Sequence, residues 1–138
     1  MKKVLSFGLL VLVLAFLATS ISAAEIPDLV GTWAGSGPGY QEGTGYVEDA
    51  GYVTLSLSIV EQTGRVFTGN MTYQVNGTDV VEGFVGAIGA DNNTFYIAEY
   101  VSGHDLGAVI SDDEIEVIYI QDGEPAEIFV NRLYLVVE

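Results

Sequence analysis

Two carboxylates, Glu82 and Glu99, stand in this chain where a charge is least expected. Each falls on the apolar side of a stretch with period two, Glu82 in line with Phe84, and Glu99 in line with Phe95 and Ile97. A buried carboxylate without a partner is costly. A water-filled cavity, a cationic or hydrogen-bonding ligand, or raised pKa values would relieve it. The bland alternatives are a barrel mouth that is simply wet there, or a strand that slips by one residue and turns a glutamate outward. Tyr73, Tyr119 and His104 are expected towards the same end, so the candidate ligand-binding set is Glu82, Glu99, Tyr73, Tyr119 and His104, with Tyr40 and Tyr46 above them. Other chemistries are poorly supplied. The chain has one histidine and no cysteine, so a thiol nucleophile is excluded and a Ser-His-Asp arrangement would have to use His104, in a turn beside Gly103 and Asp105. Zinc lacks ligands. Asp91-Asn92-Asn93 and Asp112-Asp113-Glu114 lack the spaced oxygens and internal glycine of a calcium loop. Paired carboxylates suit glycoside hydrolysis only in a cleft open to sugar on both sides. The expectation is a non-enzyme with no catalytic residue, no cofactor and no metal.

The elements that must position these groups are strands. From Leu29 onward the pattern alternates, and the spacing predicts eight strands at about 29–36, 52–62, 66–75, 78–88, 94–101, 104–111, 114–121 and 126–137. Most of the turns between them are short, and Asn76-Gly77 is a strong two-residue hairpin signal. Eight antiparallel strands in up-and-down order remove their edges by closing into a barrel. With Asn76-Gly77 as the loop, Tyr73 faces Val80, Met71 faces Glu82, Gly69 faces Phe84 and Phe67 faces Gly86. Twice a phenyl ring covers a glycine, which suits a crowded, curved interior. Two-residue loops at Ser102-Gly103 and Asp112-Asp113 would put Phe95, Ile97, Glu99, Val101, His104, Leu106, Ala108, Ile110, Ile115, Val117 and Tyr119 inside, with Leu55, Leu57 and Ile59. The last strand is apolar on both faces and leaves its parity open. The connection from Gly37 to Gly51 is too long for a tight turn, and its Tyr40 and Tyr46 suggest a lid as much as a linker.

Lys2 and Lys3, the apolar run from Val4 to Ala18 and the small residues from Ser20 to Ala24 resemble a secretory signal peptide. Cleavage after Ala24 would leave a single domain, 25–138, in an extracytoplasmic compartment, no longer held at the membrane. An uncleaved anchor is the alternative. All 19 acidic residues lie beyond that point, where Arg65 and Arg132 are the only basic partners, giving a formal charge of −17. Such a surface repels nucleic acid and anionic membranes. It favours cationic partners, or is simply a solvated surface for a salty medium. Val81, Val85, Val109, Ile118 and Ile120 fall on the outer face by parity, and suggest either a wall-to-wall homodimer or scattered surface residues. Sequons begin at Asn70, Asn76 and Asn92.

Gly31-Thr32-Trp33 opens the first strand with the only tryptophan, and Arg132 lies on the last. In these residues and in the strand order the chain resembles the calycin barrels: lipocalins, fatty-acid-binding proteins and avidins. The resemblance implies a closed barrel in which Gly31 and Trp33 are structural and Arg132 packs over the indole. Phe67-Thr68-Gly69 is similar to the avidin branch. Ala34 and Met71 depart from it, and the further tryptophans of a biotin site are absent, so no ligand site carries over. The leading functional expectation is a secreted barrel that binds a small amphipathic or cationic ligand at the 37–51 end. The alternatives are a protein-binding module, such as a secreted protease inhibitor, and a structural cell-surface protein with a filled barrel.

Overall fold

Strict alternation over long stretches, broken only by turn residues, commits the chain to antiparallel pairing of neighbours. The computed structural model describes residues 25–49, 54–75 and 77–137. The expected signal segment 1–24, residues 50–53 and the Asn76 sequon lie outside the described residues. The strands are β1 (Gly31–Ser36), β2 (Gly39–Gln41), β3 (Gly45–Val47), β4 (Leu55–Thr63), β5 (Val66–Val75), β6 (Thr78–Ile88), β7 (Thr94–Glu99), β8 (His104–Ser111), β9 (Glu114–Gln121) and β10 (Glu127–Leu135). Each of β4 to β9 pairs with the next, and β1 pairs with both β4 and β10. The result is a closed, eight-stranded antiparallel barrel, as the alternation predicts.

The short segments β2 and β3 belong to this barrel as the upper end of its first hairpin. Ser36 lies opposite Arg132 and Gly39 opposite Phe129, so β1 and β2 run along β10 in one unbroken register. Pro38 sits between them and accepts a bond from the Val130 N–H at 2.9 Å. β3 folds back beside β2, with Tyr40 opposite Tyr46. Residues 37–47 are therefore not a loop lying across the mouth. Tyr40 and Tyr46 are 58% and 65% exposed on the outer face, beside Ile128. The lid expectation is corrected: strand parity sends both tyrosines outward and leaves Gly39 and Gln41 facing in.

Around Asn76-Gly77 every predicted pair is present, from Val75 opposite Thr78 to Phe67 opposite Gly86. A Cβ on Gly86 would lie 2.2 Å from Phe67 Cζ, and one on Gly107 would lie 2.0 Å from the Phe95 ring. A third phenyl-on-glycine pair thus joins the two expected. Phe67 packs edge-on against Phe84 and Phe95, at centroid distances of 6.3 and 6.0 Å. Such edge-to-face contacts align ring edges with ring faces.

Trp33 is 2% exposed and its Nε1–H donates to the Leu29 carbonyl at 2.9 Å. The preceding residues fold beneath the barrel, where Gln62 accepts from the Leu29 N–H at 2.9 Å and donates to the Pro27 carbonyl at 2.8 Å. One end is closed in this way. Gly31 contributes closeness: a Cβ there would meet Leu135 Cδ1 at 2.8 Å. Arg132 does not cover the indole. β10 turns Glu127, Phe129, Asn131, Leu133 and Leu135 inward, which leaves Arg132 on the outer wall. There it bonds Glu114 at 2.5 Å and Glu116 at 3.0 Å across β9.

The largest correction concerns β8. Ala98 pairs with His104 and Ile97 with Asp105, so the β7–β8 loop holds five residues instead of two and reverses the parity of the strand. Asp105, Gly107 and Val109 face in. Val101, His104, Leu106 and Ile110 are exposed. A bulge between Val109 and Ser111 then reverses parity again. Ile115, Val117 and Tyr119 therefore face in as predicted, because two opposite errors cancel. Val109 leaves the expected outer patch and packs against the core.

Candidate functional site

The lower half of the barrel is filled by Trp33, Phe67, Phe84, Phe95 and the aliphatic residues between them. Above Phe84 and Ile97, towards the end carrying the 77, 102–103 and 121–125 turns, the inward residues become polar. Glu82 follows on β6, Glu99 on β7, Asp105 on β8, Tyr119 on β9, and Asn131 and Glu127 on β10. An eight-stranded barrel is just filled by ordinary side chains or holds one small ligand. Here β1–β2 turns Gly35, Gly37 and Gly39 to the interior, and a Cβ at Gly37 would lie 1.7 Å from the Val130 carbonyl oxygen. This wall is bare backbone, and a cavity of about 420 Å³ stays open beside it, bordered by Met71, Tyr73, Glu99, Asp105, Tyr119 and Glu127 among others.

Of the two expected carboxylates, Glu82 is already engaged. Buried at the base, it accepts the Tyr73 hydroxyl at 3.1 Å through Oε2 and the Val101 N–H through Oε1. Its part is to brace the start of the β7–β8 loop. Glu99 and Asp105 lie side by side, within reach of a hydrogen bond between their carboxyl groups. Asp105 is only 2% exposed. Its Oδ2, like Glu99 Oε1, is buried without a hydrogen-bond partner.

Burial pushes the Glu99 carboxyl up to about 8, helped by the neighbouring charges of Asp105 and Glu82. Burial likewise moves Asp105 up to about 7; the bond from Glu99 opposes the rise, and the charge of Glu82 adds to it. Two carboxyls this close hold a proton between them near neutrality. Burial, followed by the Glu82 hydrogen bond and charge, raises Tyr73 to about 12. Tyr119 is moved upward as well, by burial and then by the charges of Glu99 and Glu127. It donates to Gln121 Oε1 at 2.6 Å, and at the rim Gln41 donates to Glu127 Oε1 at 2.6 Å.

The structure thus brings Glu82, Glu99, Tyr73 and Tyr119 together and places His104, Tyr40 and Tyr46 outside. Asp105, Glu127 and Gln41 are site residues that strand counting missed. A signal for Asp105 was present: the phenyl-on-glycine rule that fixes β5 against β6 also selects Gly107 as the partner of Phe95, and Asp105 shares its face. Among the described residues no three acidic, histidine or cysteine side chains are arranged to hold a metal ion. Comparison with protein-family models, with curated proteins and with solved structures returned no match.

Proposed function

We propose that this protein is a small-ligand-binding barrel, exported by its N-terminal segment, whose cavity accepts a compact organic cation. The observation that carries the reading is a mismatch of charge within the barrel. Glu99, Asp105 and Glu127 border the cavity, and among the described residues no lysine, arginine or histidine does. The chain has little with which to answer them. Beyond Lys3 its only arginines are Arg65 and Arg132. Arg65 is exposed in the turn at the closed end, Arg132 is held by Glu114 and Glu116 outside, and His104 faces solvent. A positive charge for the cavity, where the pair gives up its proton, would come from another molecule. Seated between Glu99 and Asp105, it would satisfy the two unpartnered oxygens by charge-assisted hydrogen bonds. Tyr73, Met71 and Phe129 would cover its apolar body. A binding role also suits the carboxyl geometry, since Glu99 and Asp105 are closer than the roughly 5 Å or more that separates the carboxylates of glycoside hydrolases.

Thermal-shift and calorimetric screens of organic cations against neutral compounds of the same shape test this. Cations are expected to raise the melting temperature and their neutral counterparts to leave it unchanged. The protein carrying Glu99→Gln and Asp105→Asn should lose that response while remaining folded. A screen in which neutral compounds shift the protein equally, or in which nothing does, would refute the reading.

The outer wall supports a proposal about assembly. Val66, Val81, Val85 and Tyr96 are exposed on neighbouring strands β5 to β7, and contiguous apolar surface of this kind favours self-association. At high micromolar concentration and high salt, sedimentation should give a dimer mass that Val85→Glu returns to the monomer. A monomer under those conditions for the unaltered chain would remove the dimer.

A further inference from the structure

The cavity has acid at two depths, and the two sites differ in how they are built. The deep one is the Glu99–Asp105 pair, with an unpartnered oxygen on each residue and Asp105 almost fully buried. The shallow one is Glu127, where β10 begins, with one oxygen held by Gln41 from β2. Both border the same space. Asp105 pairs with Tyr119, and Tyr119 with Phe129. Glu127 is therefore two residues nearer the mouth than the row holding Asp105, and because that row itself climbs the tilted barrel over the two intervening steps, the rise is on the order of 10 Å. The interval is lined by the Tyr119 ring, Phe129 and, across the cavity, Tyr73 and Met71, surfaces that suit methylene groups better than a second charge.

Resting on the reading of the cavity as a cation site, we infer that its ligand class is the linear diammonium, a chain of methylenes with a cationic amine at each end. One ammonium sits between Glu99 and Asp105 and replaces the proton they hold. The other meets Glu127 at the rim, where the Gln121 side chain also faces the opening. About four to six methylenes, with the Asp105 and Glu127 side chains reaching towards each other, span that rise. A single-headed amine would leave one of the two acidic sites unanswered, and among the described residues no third acidic, histidine or cysteine side chain is arranged with the deep pair to hold a metal ion.

Isothermal titration with 1,4-diaminobutane and 1,6-diaminohexane, set against 1-aminobutane and 1-aminohexane, separates these cases. The diamines should bind on the order of tenfold or more tightly than the monoamines, as expected for one added charge-assisted contact. Glu127→Gln, a rim substitution that need not disturb the core, should bring diamine and monoamine to the same affinity. Asp105→Asn should weaken both. Equal affinity of diamine and monoamine for the unaltered protein would overturn the two-headed ligand and leave the single-cation reading standing, and so would an unchanged diamine preference in Glu127→Gln. Binding of neutral compounds alone, or of no compound, would remove both.

Discussion

Replacing Trp33 with alanine is expected to cost about 3–5 kcal/mol, the range for a large aromatic truncated in a core that only partly collapses. In a domain of this size that lowers the melting temperature by on the order of 15–25 °C. Two losses combine. The indole is the largest of the fully buried side chains, and its Nε1–H satisfies the carbonyl of Leu29, the residue that plugs the closed end. Trp33→Phe should fall between the two, keeping most of the packing but leaving that carbonyl without its donor. Native fluorescence should be blue-shifted and resistant to aqueous quenchers, and Arg132→Ala should leave it unchanged with little effect on melting, because Arg132 faces solvent and its ion pairs lie on the outer wall. A quencher-accessible indole, or an indole spectrum that moves with Arg132, would contradict this placement.

Raising the pH from about 5 to about 9 is expected to lower the melting temperature of the unliganded protein. Glu99 and Asp105 both hold protons more tightly folded than unfolded, with folded values of about 8 and about 7 against ordinary values of 4.5 and 3.8. Between those limits the folded state carries more protons than the unfolded one. Stability therefore falls with each step upward in pH. The contribution is intact below the unfolded pKa values and lost as pH rises through the folded ones. Counted as a single shared proton, because the two carboxyls titrate together, a shift of roughly three pH units corresponds to about 4 kcal/mol. Glu99 is only half-buried, and solvent screening reduces the expected loss to roughly 2 kcal/mol. Melting curves at high salt isolate this effect, since salt screens the exposed acidic surface and leaves buried groups largely unscreened. The curve for Glu99→Gln with Asp105→Asn should be nearly flat across the window. A slope that persists in that double variant would place its origin elsewhere.

The fold was legible because period-two alternation and a two-residue Asn76-Gly77 turn leave one register for β5 and β6, and the ring-over-glycine contacts at Phe67 and Phe84 agree with it. Half of the site followed, as Glu82, Tyr73, Glu99 and Tyr119 are fixed by that register and by β7 and β9. The rest failed for particular reasons. Turn length decides which face of a strand looks inward, and Ser102-Gly103 offers a two-residue turn where the chain makes a five-residue one, so His104 was exchanged for Asp105. The last strand is apolar on both faces, which hid Glu127 and allowed Arg132 to be set over Trp33. Tyr40 and Tyr46 read as a lid because only pairing with β10 reveals that residues 39–41 extend the first strand. The expectation that Glu82 is available for a ligand fails on an interaction that no spacing encodes, the Val101 N–H that occupies it.

The paired parity reversals flanking β8 set the terms on which the barrel could exchange its lining. The strand carries two complete linings on opposite faces, one with Asp105, Gly107 and Val109, the other with His104, Leu106 and Ala108. Loss of one residue from the 99–103 loop together with loss of the bulge at Ile110 would present the second lining while keeping β7 and β9 in place. Asp105 would then give way to Leu106 with Glu99 and Glu127 still inside, and Ala108 would take the place of Gly107, where a Cβ meets the Phe95 ring at 2.0 Å. Two single-codon deletions are therefore not enough: the Phe95 ring over Gly107 locks the present lining in place, and Phe95 would have to give way to a smaller residue before β8 could turn over.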